Sequence, residues 1–414
     1  MIQFLSCNVK NDVTHQFSEV TREISQLEAQ VNVEILRAYQ GGDDAETFVK
    51  PYKKREPKTG GVAGEDPPRF IGESQLHFCL GTALGRWDIR YATGERQPPE
   101  FSDPFAPLPI CPPGMLQNDS GLPAEPTDVP DDYPLRISWP GILIDEEGHD
   151  EDIIARIREA LAVIWRDRAE DIEQEICDIL GAPTLRDYFL EETSGGKFFK
   201  EHLSRYSKSR RQAPIYWPLS TESGSYTLWI YYHRLTDQTL FACVTDFVDP
   251  KIAEVSARFA ALSDKADDRT TKEQREWEQL ETFLGELNAF RDELLRVAHL
   301  PWKPNLNDGV LITAAPLWKL FRFTDWRKDL QKCWQSIEKG EYNWAHLAYT
   351  LWPEKVLKSC RKDRSIAIAH EVQDLFWKED EDGKWKPRVP DEGEVEQAMK
   401  EGRLLANPLE PSKG

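Results

Sequence analysis

Apolar residues recur three or four apart at Phe17, Val20, Ile24, Leu27, Val31 and Ile35, which predicts one amphipathic helix over residues 12–40, ended by Gly41-Gly42-Asp43-Asp44. From there to about residue 140 the period is lost. Pro67-Pro68, Pro98-Pro99 and Pro112-Pro113-Gly114 forbid long helices and predict loops around short strands. The exception is Ser74 to Arg90, where Leu76, Phe78, Leu80, Ala83 and Leu84 predict a short helix ending near Gly85. Helical spacing returns at Ile153, Ile157, Leu161, Ile164, Trp165, Ile172, Ile176 and Ile179. With Asp150 as N-cap and Gly181 and Pro183 as the stop, this stretch reads as a single helix.

The second half alternates differently. Ile215-Tyr216-Trp217 and Tyr226 to Tyr232 are aromatic and β-branched runs around a Ser/Gly-containing turn at Ser220 to Ser225, which predicts a β-hairpin. Residues 250–298 read as a helical hairpin, with Val255, Phe259 and Leu262 on one arm and Trp277, Leu280, Leu284, Leu287 and Leu294 on the other. Val310-Leu311-Ile312-Thr313 reads as a strand, followed by short helices around 326–337 and 344–351. The irregularly spaced Trp residues from 302 to 352 read as core, and the charged tail from Glu379 onward as loosely ordered.

Together these elements predict an α+β, multi-lobed chain without a complete Rossmann-like domain. The expected boundaries are a connector helix over 1–42, a loop-rich lobe over 43–145, a helix, basic segment and hairpin over 146–250, a helical hairpin over 251–300, a C-terminal lobe over 301–378 and a tail over 379–414.

Composition sharpens the picture. The 414 residues are 40% hydrophobic and include 14 Trp, enough for packed cores rather than a disordered chain. No apolar run approaches the ~20 residues of a membrane span, and Met1 to Lys10 lacks the character of a secretory signal. The seven cysteines are scattered, with no C-x-x-C pair, as expected of buried free thiols in a reducing cytoplasm. The formal charge of −20 counts against a nucleic-acid partner unless Lys and Arg cluster locally.

Catalytic patterns are missing. Gly81-x-x-x-Gly85 lacks the strand-Gly-helix context of a nucleotide or S-adenosylmethionine loop. Asp66-Pro67-Pro68-Arg69 carries Arg where an amino-methyltransferase places the aromatic that stacks on an extruded base, and it reads as a Pro-rich turn. Asp382-Gly383-Lys384 has no upstream carboxylate partner for nuclease chemistry. The histidines are dispersed, so neither catalytic nor metal-ligating residues are assigned, and no cofactor is expected on this chain.

Binding chemistry concentrates between Lys197 and Arg211. Lys197, Lys200, Arg205, Lys208, Arg210 and Arg211 are six cations against the one carboxylate of Glu201, interleaved with Ser204, Ser207 and Ser209. Such a cluster suits phosphate oxygens. Tyr216, Trp217 and Arg234 follow and are candidates for contacts to bases. Two readings stand side by side: a phosphate-binding surface, or a solvated basic loop paired with the chain's own acids, its aromatics being sheet core.

The run Arg205-Tyr-Ser-Lys-Ser-Arg-Arg-Gln-Ala-Pro-Ile-Tyr-Trp217, followed by Trp229-Ile-Tyr-Tyr-His-Arg-Leu235, resembles the C-terminal region of PglX-like adenine-specific DNA methyltransferases. These belong to BREX phage-defence and related restriction–modification systems. Leu84-Gly-Arg-Trp-Asp-Ile-Arg90, Cys111-Pro-Pro-Gly-Met115, Pro304-Asn-Leu-Asn-Asp-Gly-Val310 and Phe376-Trp-Lys-Glu-Asp-Glu-Asp-Gly-Lys-Trp385 stand in the order of that family. The resemblance is specific from about 74 to 385 and weakest before residue 40. It implies a target-recognition and C-terminal portion without the methyltransferase module, the helix around Leu27 to Tyr39 being the connector. It further implies double-stranded DNA as a partner, and a methyltransferase subunit or other defence-system protein as another. S-adenosylmethionine would then be held by the catalytic partner. A split-enzyme subunit and the product of a disrupted gene are equally compatible with the residues. The rival from another class is a non-catalytic scaffold that binds only protein within a defence complex.

Overall fold

The computed structural model describes residues 67–97, 109–190, 196–208, 211–265 and 268–409. The helix expected over 12–40 lies outside them. Among the described residues the chain forms two compact units: 67–97, 109–139, 147–190, 196–208 and Arg211 make one, and 140–146, 212–265 and 268–409 make the other. The fold is α+β, with many helices and short strands.

In the first unit, α1 (Pro67–Ala83) packs on α2 (Ile153–Trp165) and α3 (Ala169–Leu180). Pro67 and Pro68 open α1 rather than forming the expected turn. Proline suits a helix's first residues, whose N–H groups have no intrahelical acceptor. Leu76, Leu80 and Ala83 are fully buried along it, and Gly85, at φ +70°, follows its end. The helix expected as one over 150–180 is two. Asp152, not Asp150, caps α2 by accepting from the Ala155 amide, and it also accepts from Arg186 at 2.8 Å. The chain then breaks at Arg166 (φ +52°) and turns once through Arg166–Arg168 before α3 begins. Because the break is only one turn long, the apolar period runs on through it. Two further helices, α4 (Leu185–Leu190) and α5 (Lys197–Arg205), pack on each other, and a short ribbon of β2 (Ser207–Lys208) and β3 (Arg211–Gln212) follows.

The second unit is built on an antiparallel sheet of β1 (Ile142–Ile144), β4 (Tyr216–Ser220) and β5 (Thr227–Tyr231) in the order β1-β5-β4. The register pairs Leu143 with Trp229 and Trp217 with Ile230. Every residue of β4 and β5 is buried, so both faces are covered, which explains a continuous apolar run in place of alternation. Pro218 cannot donate to a ladder and stands on the edge strand β4, where that is tolerated. The expected hairpin is therefore present.

The expected helical hairpin is α6 (Asp249–Ser263) and α7 (Thr271–Ala298). Thr270 and Glu273 form a reciprocal capping box at the start of α7, and Phe259 stacks on Trp277 at 5.1 Å. The run at 310–313 is not a strand but α8 (Val310–Ala314), with Thr313 Oγ1 donating back to the Gly309 carbonyl. A short β-branched run fits a strand or a buried helix equally, and burial decides here. Beyond it come α9 (Thr324–Lys339), α10 (His346–Leu351) and α11 (Pro353–Cys360). Trp302 and Trp326 are core as expected, whereas Trp344 is 43% exposed.

The tail is ordered further than expected. β6 (Trp377–Glu379) and β7 (Trp385–Pro387) form a hairpin, and α12 (Glu392–Lys400) buries Val395 and Ala398 under a capping box of Asp391 and Glu394. Asp382-Gly383-Lys384 is the turn of that hairpin, the Asp382 and Lys384 amides donating to Asp380 Oδ1 at 3.1 and 2.8 Å. The six cysteines among the described residues are free and buried. Burial pushes the Cys79, Cys333 and Cys360 thiols up to about 12, which leaves them unreactive at neutral pH. No helix among the described residues is long and apolar enough to cross a membrane.

Candidate nucleic-acid interface

Helix α5 places the basic segment. Its sequence, KFFKEHLSR, is strongly two-faced: Phe198, Phe199, His202 and Leu203 are buried, while Lys200 and Ser204 are exposed and Lys197 is half-buried. Phe198 anchors it by stacking on Phe189 of α4 at 4.2 Å. Gly196 caps the helix at φ +88°, ψ 144°, a backbone region that side chains avoid.

Glu201, the one carboxylate of the segment, turns inward. It accepts from Arg205 Nε at 2.6 Å and meets His77 Nε2 of α1 at 2.5 Å. Arg205 also reaches Ser74 at 3.2 Å, lies 3.9 Å from Glu73 and covers the Phe70 ring at 5.2 Å. Glu73 is in turn bound by Arg69 at 2.9 Å. Burial, reinforced by Arg205 and Arg86, holds the His77 imidazole well below its usual range, so it is neutral and its Nε2–H donates to Glu201. Burial does the same to His202, which stacks on His77 at 5.1 Å. Burial also raises the Glu73 and Glu201 carboxyls, Glu73 being raised further by its neighbour Glu201.

The consequence for charge is direct. Arg205 and Glu201 neutralise each other inside the unit, and the outer side of the segment keeps only cations. Among the described residues no carboxylate pairs with Lys197, Lys200 or Arg211, and Lys197 Nζ approaches only the Gly181 carbonyl, at 3.4 Å. Lys200, Ser204, Ser207 and Arg211 are exposed. Lys208 lies in β2, and Arg210 is outside the described residues. Tyr206 joins the helix to the ribbon. Its hydroxyl accepts from Arg86 Nη1 at 2.5 Å, and the Arg86 guanidinium carbon lies 4.6 Å from the Trp87 ring centre and 5.6 Å from that of Tyr206.

The remaining sequence-predicted residues fall in the second unit. Tyr216 and Trp217 are buried in β4, with Trp217 Nε1 donating to the Pro214 carbonyl at 2.8 Å. They are sheet core and expose no ring to a base. Arg234 is half-buried, its stem packed so closely on Gly141 that a β-carbon there would come within 2.6 Å of Arg234 Cβ.

The other resemblance motifs brace each unit from within. Trp87 bridges to Met115, and the Asp88 amide donates to the Gly114 carbonyl at 3.0 Å, which clamps Leu84–Arg90 to Cys111–Met115. The buried Asp88 accepts from Arg90 at 2.9 and 2.8 Å and from Arg96 at 2.9 Å. Burial opposes its ionisation, but these hydrogen bonds outweigh it and hold its carboxyl below the ordinary range. Asp308 accepts from the His346 and Leu347 amides at 2.7 and 2.8 Å and so caps α10. Trp377 Nε1 donates to the Cys360 carbonyl, and Arg364 lies 3.9 Å over the Trp385 ring. Sequence reasoning found these segments but not their roles. Among the described residues, no group of three or more His, Cys, Asp or Glu side chains is arranged to hold a metal ion.

Over 183 residues, 41% of its length, the chain is 27% identical to the adenine-specific methyltransferase BrxX of Escherichia coli O9:H4 (strain HS). The chain is distantly similar to an adenine-specific methyltransferase. The matched stretch spans 15% of BrxX, so most of that protein has no counterpart in the alignment. No family model matches the chain. BrxX supports the resemblance to BREX-type enzymes drawn from the motifs, independently of the placement of the cations.

The buried histidines predict a pH dependence for the helix that carries the cations. Their folded pKa values lie below the ordinary 6.5, so the unfolded chain takes up protons first on acidification. Their contribution is complete above about pH 6.5 and is lost as pH falls below it. Stability therefore falls between about pH 7.5 and 5.5, and the raised Glu73 and Glu201 carboxyls offset part of the loss. Hydrogen exchange, corrected for intrinsic rates, should show α1 and α5 amides losing protection over that interval. Unchanged protection would mean that the histidines are not held neutral.

Proposed function

We propose that this chain is the DNA-recognition portion of an N6-adenine DNA methyltransferase of a phage-defence or restriction–modification system, with methyl transfer performed by a catalytic partner that holds S-adenosylmethionine. The observation that carries this reading is the carboxylate-free outer face of the segment from Lys197 to Arg211, in a chain whose formal charge is −20. Counterion release from duplex DNA rewards such local clustering irrespective of the total charge. The similarity to BrxX supplies the reaction class.

In this reading Lys197, Lys200, Lys208, Arg210 and Arg211 contact phosphates, and exposed Ser204 and Ser207 donate to the same oxygens. Arg205 acts one step removed: by drawing Glu201 inward it strips the face of its only acid and fixes the pitch of α5 against α1. Arg86 performs a similar service for Tyr206 at the start of the ribbon. Tyr216 and Trp217 serve as the core of the hairpin, and Arg234 is a candidate for base contact at its end.

Photo-crosslinking of a bromouracil-containing duplex to the purified chain tests the assignment, together with a calorimetric titration with S-adenosylmethionine. Crosslinked peptides should include residues 197–211, and the titration should show no binding. Crosslinks confined to other segments would displace the interface, and stoichiometric S-adenosylmethionine binding would return the catalytic role to this chain.

A further inference from the structure

A second cationic surface lies in the second unit, apart from every residue assigned above. Helix α9 buries Trp326, Leu330, Cys333 and Ile337. Lys328, Lys332 and Lys339 are spaced four and seven apart and exposed, so they share the opposite face, with exposed Gln335 between them. Asp325, Asp329 and Glu338 stand beside this row. Among the described residues no carboxylate pairs with Lys328, Lys339 or the exposed Arg327, and Lys332 has only Asp329, at 3.9 Å on the helix flank.

On another flank of the helix, Arg327 lines a cleft of about 520 Å³. Lys319, Arg322 and Arg327 line one wall, and Ser220, Thr221 and Thr282 bring hydroxyls to the others. Arg327 and Lys319 flank the half-buried Trp318 ring at 5.6 and 6.0 Å. Three carboxylates, Glu222, Glu286 and Glu293, line it as well, so the cleft itself is charge-balanced. Glu286 accepts from Ser223 and Ser225 at 2.5 and 3.1 Å, and Glu293 is held by Arg296 at 2.7 Å. In a chain with 72 acidic and 52 basic residues, a row of three exposed lysines on one helix face reverses the overall charge locally.

We propose that the outer face of α9 forms a second contact for the phosphodiester backbone of nucleic acid. Eleven residues of helix place Lys328 and Lys339 about 16 Å apart along the axis, which matches roughly five base-pair steps at about 3.4 Å each. This extends the recognition reading to the second unit and stands or falls separately from it.

The test compares two full-length variants with wild type by fluorescence anisotropy, using a duplex of arbitrary sequence and a salt series. One is Lys328→Glu/Lys332→Glu/Lys339→Glu, the other Lys200→Glu/Arg211→Glu; all five positions are exposed, and circular dichroism confirms folding. The α9 variant should lose about two to three units of salt slope and bind at least ~100-fold more weakly at ~0.1 M salt. Wild-type affinity and slope in the α9 variant, with loss only in the other, would overturn the second contact and leave the first. Loss only in the α9 variant would establish the second and overturn the first. No binding by wild type would overturn both and turn the α9 face over to an acidic protein partner.

Discussion

Gly196→Ala should destabilise the first unit by about 3 kcal/mol or more. Gly196 combines φ +88° with ψ 144°, a region that costs an L residue on the order of 1–3 kcal/mol. It also sits against backbone: a β-carbon would overlap the Phe189 carbonyl oxygen and lie 2.8 Å from its carbon. Neither atom can swing away as a side chain would, so α5 must shift against α4 and the Phe189–Phe198 stack must open. Gly181→Ala is the matched comparison. That glycine is left-handed at φ +65° with nothing within 4 Å of an added β-carbon, so it should cost only about 1 kcal/mol. Urea unfolding of both variants checks the contrast. Equal stability losses would mean that the approach of Gly196 to Phe189 is not a fixed feature of the fold.

Charge reversal at Lys200 and Arg211 carries the largest expected effect on binding through the basic segment. Each cation that neutralises one phosphate contributes about 0.9 to the slope of log affinity on log salt. Loss of both contacts lowers the slope by about 2 and weakens binding roughly 100-fold at ~0.1 M salt, before any repulsion from the new carboxylates. Both side chains are exposed and without a carboxylate partner among the described residues, so the substitutions break no internal ion pair there. Arg205→Ala should behave differently. It frees Glu201 and Glu73 from their shared cation, so stability falls together with affinity. An affinity loss in Lys200→Glu/Arg211→Glu that does not respond to salt would speak against phosphate contacts.

The elements with strong local signals were legible from the chain. The β4–β5 hairpin announces itself in Tyr226 to Tyr232, and α7 in the spacing of Trp277, Leu280, Leu284, Leu287 and Leu294. Where two local states share a pattern, reading failed: Val310 to Thr313 suits a strand or a buried turn of helix, and the one-turn break at Arg166 does not disturb a period of 3.6. The tail misled because its order comes from contacts that composition does not encode, such as the Arg388–Glu394 ion pair and the burial of Val395. The basic segment was visible as a cluster, but its polarity was not. His77 and Glu201 are 124 residues apart, and no spacing rule joins them. That contact and the Arg205 ion pair together hold the segment's acid inward. Tyr216 and Trp217 show the reverse: residue types suited to stacking on bases, placed where a sheet needs core.

Salt-dependent duplex binding by the purified chain tests the central claim most directly. The account predicts binding whose affinity falls steeply and log-linearly between ~50 and ~200 mM salt, with a slope of about −4 or steeper if the five assigned cations meet phosphates. Absence of binding at the lowest salt, or an affinity that salt leaves unchanged, would contradict DNA recognition and favour a chain that meets only other proteins.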